Sequence, residues 1–384
     1  MNSWIPEIDL SDTLYSNIQP LRENNIEPFP IQRRKWFETV FSKAKPIFNR
    51  IRQIRKDIPN TDIQSLITLT DTGNIVESEL QTLKAEYVDN NYVDSILWDS
   101  LIKALVYNIT FMYNWSMYKQ SYRFDKDVFQ LLCNDTDISQ IPLTIIKDNL
   151  PYYSFFIDNR FIANDTHKIF RGCYVSVVMD TENRPELGLF FVEDNEESDY
   201  EYCLIPLYMG DSSLIDIMKK RNKLYNINTE EVSTGNILDI GIKALQCIIY
   251  ICSANKEIET IRVPVNTKNN NHKKPKSNNK KAKTISQNLV GYRMGNTIRQ
   301  NKKVYVYNDM EAENSTETNI NNEDKPIVRK SPHMRMAHYH HYWTGPKNDP
   351  SQRKLIVKFI PPLYINSNLE DENKVLRPTL HNVK

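Results

Sequence analysis

Glycine is the residue this chain largely does without. There are nine in 384 residues, at positions 73, 172, 188, 210, 235, 241, 291, 295 and 345. Backbone cradles for nucleotide phosphates need several glycines at fixed spacing, because only glycine lets successive amides close on an anion. Neither G-x-G-x-x-G nor G-x-x-x-x-G-K-[ST] occurs, which excludes Rossmann and P-loop enzymes. A G-x-S-x-G elbow, an H-E-x-x-H zinc helix and an EF-hand loop are also missing. What remains is a chain better suited to recognition than to nucleotide chemistry.

The formal net charge of +1 hides strong segregation. Residues 31–56 hold nine bases and one acid, Glu38. Residues 180–201 hold nine acids and one base, and 260–308 hold twelve bases and no acid. Residues 309–324 carry six acids, and 325–384 return to eleven bases against four acids. Basic blocks of this kind attract phosphate backbones when they are not merely solvated. A mean hydropathy of −0.56 means that part of the chain buries little. The five cysteines have no C-x-x-C spacing and sit in apolar or mixed stretches, as reduced, mostly buried thiols of a cytoplasmic protein do. MNSWIPEIDL lacks the pattern of a signal peptide. The longest apolar stretch is broken by Lys103 and Asn108, short of the ~18 clean residues of a membrane span. No membrane partner and no cofactor are expected.

Periodicity predicts an α+β fold: a helical N-terminal part, an antiparallel sheet of about four strands with packing helices, and a His/aromatic-rich C-terminal β element. After an extension over 1–30, residues 31–57 repeat apolar side chains (Phe37, Val40, Phe41, Ala44, Ile47, Phe48, Ile51, Ile54) at helical spacing. Pro46 is expected to kink or split that segment. Helices are also predicted over 77–87, 92–121 and Asp125–Cys133, closing a helical region that runs to 149. The second of these carries Leu97, Leu101, Leu105, Ile109 and Tyr113 on one stripe, with Trp98, Ile102 and Val106 beside it. From 150 to 262 the runs YYSFFID, CYVSVVMD, LGLFFVED and YCLIPLY read as a meander, followed by helices at Ser213–Leu224 and Ile237–Ala254. Residues 263–290 read as a disordered Asn/Lys-rich linker, 291–308 as a short ordered island, 309–328 as an acidic linker, 329–367 as a His-rich motif and 368–384 as a tail.

The motif, SPHMRMAHYHHYWTG, packs His333, His338, His340 and His341 into nine residues, interleaved with Arg335, Tyr339, Tyr342 and Trp343. RKLIVKFIPP over 353–362 reads as a buried strand. In an extended chain His338, His340 and Tyr342 share one face, and Tyr339, His341 and Trp343 the other. Paired imidazoles beside a guanidinium suit metal-free RNA cleavage, with His338, His340 and Arg335 as candidate catalytic groups. They equally suit RNA binding, with rings as stacking platforms and bases on phosphates. They also suit a structural staple for the tail. With no nearby fourth ligand, a zinc site is not expected. The basic candidates for RNA contact are Arg293, Arg299, Lys302, Lys303 and Arg353.

At these residues the chain resembles the type V-A anti-CRISPR family of phage and plasmid proteins. The matching positions are His333, Arg335, His338, His340, Tyr342, Trp343 and Gly345, then a strand ending at Pro361 or Pro362 and an apolar stretch to Asn366. Upstream, YRMGNTIR (292–299) resembles the family's Tyr-x-x-Gly element, and NLPYYSFFID its Leu-Pro-aromatic strand. His341 and Met336 depart from the pattern. The resemblance implies a protein of a bacterial host cell's cytoplasm that recognises the nascent N-terminal peptide of a target protein, such as a Cas12-type nuclease. It further implies an association with mRNA or the ribosome and loss of that mRNA, with a host nuclease as a candidate partner. A ribonuclease acting through the His/Arg cluster is the alternative reading, and a non-enzymatic protein-binding inhibitor or adaptor the second.

Overall fold

The computed structural model describes residues 29–40, 43–56, 66–87, 95–163, 168–179, 185–193, 202–208, 234–264, 284–305, 333–349, 352–365 and 379–380. The helical N-terminal part comprises α1 (Phe29–Val40), α2 (Ala44–Ile54), α3 (Leu69–Tyr87) and α4 (Ser95–Tyr118). Pro46 lies in the first turn of α2, where its missing N–H costs no hydrogen bond, so the segment is split rather than kinked. Ala44, Ile47, Phe48 and Ile51 are buried as the spacing predicts, but Ile54 at the end of the stripe is 58% exposed. Helix α4 buries Trp98, Leu105, Val106, Ile109 and Tyr113.

A mixed sheet divides the molecule, in the order β6 (Tyr202–Tyr208), β5 (Pro185–Glu193), β4 (Ile169–Met179), β2 (Ser154–Ile157), β1 (Gln120–Phe124), β8 (Thr284–Val290) and β7 (Ile258–Pro264); β3 (Phe161–Ile162) pairs with β4 off this path. The expected antiparallel meander is its β6-β5-β4-β2 half. The structure adds β1, parallel to both β2 and β8, with β7 closing the edge. Strand β1 takes residues assigned by periodicity to the end of helix 92–121, and β8 takes the last seven residues assigned to the Asn/Lys linker. The rest of that linker from 265, and the helix expected at Ser213–Leu224, lie outside the described residues.

These two strands escape periodicity because polar residues take several of their buried positions among the apolar ones. Ser121, Gln287 and Asn288 are nearly inaccessible. The Asn288 side-chain amide donates to Gln120 Oε1 and Ser121 O, each at 3.2 Å, and Thr260 donates to Asn288 Oδ1 at 2.7 Å. Side-chain hydrogen bonds thus satisfy Asn288 at a position that apolar alternation would otherwise mark.

Alternation holds elsewhere and sorts the core onto two faces. Phe156, Tyr174, Val178, Phe190 and Val192 pack with the α1–α4 layer. Phe155, Cys173, Val175, Val177, Leu189 and Phe191 face the other layer, built from α5 (Lys126–Asp135), α6 (Thr144–Asn149) and α7 (Thr234–Cys252). Helix α7 buries nearly every residue from Ile240 to Ser253, as an all-round apolar helix must. Helix α8 (Tyr292–Tyr305) follows β8; the remaining strands are β9 (His333–Arg335), β10 (His338–Thr344), β11 (Lys354–Ile360), β12 (Leu363–Ile365) and β13 (Thr379–Leu380). No helix among the described residues is long and apolar enough to cross a membrane.

Buried acids set an alkaline limit. Burial raises the pKa of Tyr122, Tyr174, Tyr250 and Tyr339 above the usual tyrosine value, and that of the Cys252 thiol to about 12. Above pH ~9–10 the unfolded chain releases these protons while the folded chain retains them, so stability falls as pH rises. Each such group contributes a slope of about 1.4 kcal/mol per pH unit while its two states differ. Denaturant midpoints at pH 8 and pH 10.5 are expected to drop at the higher pH; equal midpoints contradict the assignment.

Candidate functional site

The His-rich motif folds as a hairpin. Strands β10 and β11 pair antiparallel, with Tyr339 opposite Phe359, His340 opposite Lys358 and Tyr342 opposite Ile356. One face turns inward. Tyr339 is buried and its hydroxyl donates to Gln246 O on α7 at 2.7 Å. Phe359 is fully buried, with ring centroids 5.5 Å from Tyr339 and 5.3 Å from Tyr250. Asn255, just past α7, accepts from Phe359 N at 2.9 Å and donates to Phe359 O at 2.7 Å, standing in for a neighbouring strand. Ala254 N adds a bond to Val357 O. The 353–362 segment is therefore half-buried, not buried throughout: Val357 and Phe359 face in, while Lys354 and Lys358 are exposed.

The other face is open. It carries His338, His340 and Tyr342 with Ile360, Lys358 and Ile356 opposite them, and Lys354 opposite Thr344. The His340 and Tyr342 rings stand 5.7 Å apart, and Lys358 Nζ lies 5.4 Å from the centre of the Tyr342 ring. His338 Nδ1 is 3.1 Å from Met336 O. Trp343, 64% exposed, projects from the edge of the hairpin. Gly345 turns the chain at φ +105°, where a Cβ would stand 2.6 Å from Gln352 O. Arg335 is exposed on β9, a strand of a different sheet, whose residue His333 pairs with Ile365 and Thr379. Among the described residues Arg335, His338 and His340 make no hydrogen bond to one another. Among the described residues no group of three or more His, Cys, Asp or Glu side chains is placed to hold a metal ion.

The Tyr-x-x-Gly element has a mechanical job. It opens α8, where Glu257 caps the helix by accepting from Arg293 N (2.7 Å) and Met294 N (3.1 Å). Gly295 lies so close to α5 that a Cβ there would stand 2.0 Å from Asp125 Oδ1. Asp125 is itself the N-cap of α5, accepting from Asp127 N. One helical turn after Gly295, Arg299 reaches the same place, binding Asp125 at 3.0 Å through both guanidinium nitrogens and Asp127 at 2.6 Å. Of the basic candidates, then, Arg299 is held in a latch, and Arg353 holds the hairpin turn through Pro346 O and Lys347 O. Arg293 is exposed. Lys302 and Lys303 lie on α8 with side chains outside the described residues.

Sequence reasoning missed a cleft of about 250 Å³ between α5, the β2–β3 turn, β4 and α7. Phe129, Phe161, Ile162 and Ile169 line it with five bases, Arg123, Lys126, Arg160, Arg171 and Lys243, and one acid, Asp158. Arg123 pairs with Asp158 at 2.8 Å, and Lys243 with Asp239 at 2.7 Å and Ile162 O at 3.0 Å. The bases are spread over 120 residues of chain, so no local pattern announces them; the RFDKD run at 123–127 is the one compact signal. Lys243 and Gln246 are one turn apart on α7, so the same helix lines the cleft and anchors the hairpin.

A family model described as AcrVA2-like, the anti-CRISPR type V subtype A2 family, matches residues 122–367. The crystal structure of AcrVA2 superposes with a TM-score of 0.56 at 17% identity, over 88% of this chain and 100% of that one. No curated protein sequence matches the chain.

Proposed function

This chain belongs to the AcrVA2-like family, anti-CRISPR type V subtype A2, and from that premise we propose that it recognises the emerging N-terminal peptide of a target protein during translation and brings about loss of the encoding mRNA. The cleft seats side chains of the peptide. The open face of the hairpin meets RNA or the ribosome, with Tyr342 there and the exposed Trp343 at the hairpin's edge as stacking platforms and Lys354 and Lys358 on phosphates. The target is a Cas12-type nuclease or the corresponding protein of another system, and a host nuclease cuts the message.

The observation that carries this reading is the sharing of α7. Lys243 lines the cleft and Gln246 O holds Tyr339, so the cleft and the hairpin are joined to one helix, which supports a coupling of the two proposed sites.

The test is capture of the protein from translating cells, with sequencing of the RNA that comes with it. The target message is expected in the bound fraction and is expected to leave it when puromycin releases nascent chains. Retention after puromycin would mean that the RNA, not the peptide, is recognised.

A further inference from the structure

The α1–α4 layer, which lies outside the residues matched by the family model, carries a groove of its own. It opens between α1, α2, the C-terminal half of α4 and Ile285 of β8, with a volume of about 700 Å³. Six bases line it against one acid, Glu38. Three of them have other work: Arg34 pairs with Glu38 at 2.9 Å, Arg55 pairs with Asp71 at 2.5 Å, and Lys119 sits at the α4–β1 corner with φ +52°. The remaining three are Lys45, Arg52 and Lys56, all exposed. Arg52 reaches Asn49 Oδ1 at 3.2 Å, and none of the three has an acidic partner among the described residues.

Their spacing makes a track. Positions 45, 52 and 56 fall on one face of α2 and its terminal turn, over about 16 Å at 1.5 Å per residue. The floor beneath is apolar but closed. Phe48, Tyr113 and Trp115 are at most 2% exposed, and the Trp115 indole N–H is spent on Gln120 O. Among the described residues that line the groove, no ring is presented for a base to stack on. Arg34, Arg52 and Arg55 all lie close enough to Tyr113 to oppose the upward push that burial gives its pKa, so positive potential converges on the groove.

We propose that this groove binds the sugar–phosphate backbone of single-stranded RNA, independently of base sequence. Charge without stacking platforms or directed base contacts is the signature of backbone binding. The groove lies on the opposite side of the sheet from the hairpin. An RNA held there is gripped at a second point, whatever the hairpin does.

Fluorescence anisotropy of the full chain with a labelled 20-nucleotide oligouridine, titrated between 50 and 200 mM salt, tests the proposal. The triple substitution Lys45→Gln, Arg52→Gln, Lys56→Gln touches only exposed side chains. With ~0.7 counterion released per phosphate contact on a single strand, losing three contacts is expected to flatten the log–log salt slope by about 2 and to weaken binding at least tenfold at the low-salt end. An unchanged slope and affinity would overturn the proposal. So would equally tight binding of the wild-type chain to a polyglutamate of matching charge, which would assign the groove to an acidic protein segment. Should the variant melt differently from wild type, photo-crosslinking of 4-thiouridine RNA to the wild-type chain decides. Adducts are expected on peptides spanning 34–56; adducts confined to the hairpin would overturn the proposal.

Discussion

Tyr339→Ala is expected to free the hairpin from the body. The side chain is buried, its hydroxyl is bonded to Gln246 O, and its ring meets Phe359 edge-on. Removing a buried aromatic costs ~3–5 kcal/mol, and here the loss falls at the seam between hairpin and body, which otherwise rests on the buried Val357 and Phe359, the Asn255 bridge, Ala254 N and the Phe359–Tyr250 ring pair. Tyr339→Phe keeps the ring and gives up one hydroxyl bond, a loss of about 1 kcal/mol. Limited proteolysis is the readout. The alanine variant should be cut within 333–365 while the sheet layers remain intact, and the phenylalanine variant should resemble wild type. Cleavage equal in all three would show that the hairpin is held by other means.

Gly295→Ala has the second large effect. The new Cβ would fall 2.0 Å from Asp125 Oδ1 and 2.3 Å from Asp125 Cγ. A flexible carboxylate could step aside, but this one is committed on two sides, capping α5 and receiving both nitrogens of Arg299. Relief therefore means losing the cap, worth ~1 kcal/mol, together with the ion pair, or tilting α8 away from α5. Overpacking adds ~1–3 kcal/mol, so a loss of about 3 kcal/mol in chemical denaturation is expected. Asp125→Gly alongside Gly295→Ala makes room for the methyl. The double variant should then be less destabilised than the two single effects added together. Simple additivity would mean that the two residues do not oppose each other across the helix contact.

The sequence was legible where burial imposes a period. Helices α4 and α7 and the strands β2, β4, β5 and β6 follow from apolar spacing, because each packs an apolar face against a layer. Strands β1 and β8 were hidden because Ser121, Gln287 and Asn288 place polar side chains at buried positions, and polarity reads as surface. The hairpin's alternation was visible in HYHHYW, including the division between the His338–His340–Tyr342 face and the Tyr339 face. What composition could not show is that Tyr339 is the anchor, since that depends on Gln246, 93 residues away. Arg299 reads as a phosphate ligand in a basic block, yet it is neutralised by two aspartates more than 170 residues earlier in the chain. The cleft is likewise a product of topology: parallel β1 and β2 bring Arg123 beside Asp158, and α7 supplies Lys243 from across the layer.

The central proposal is that the protein reads a nascent peptide and answers at the message. The most direct measurement is target mRNA abundance in cells with and without this protein, for two rewritten targets. In one, the first codons are replaced synonymously; in the other, the N-terminal amino acids change with as few nucleotide changes as the code allows. The account predicts that the synonymous target is still lost and that the target with the altered peptide is spared. Loss that follows the nucleotides and ignores the peptide would contradict it.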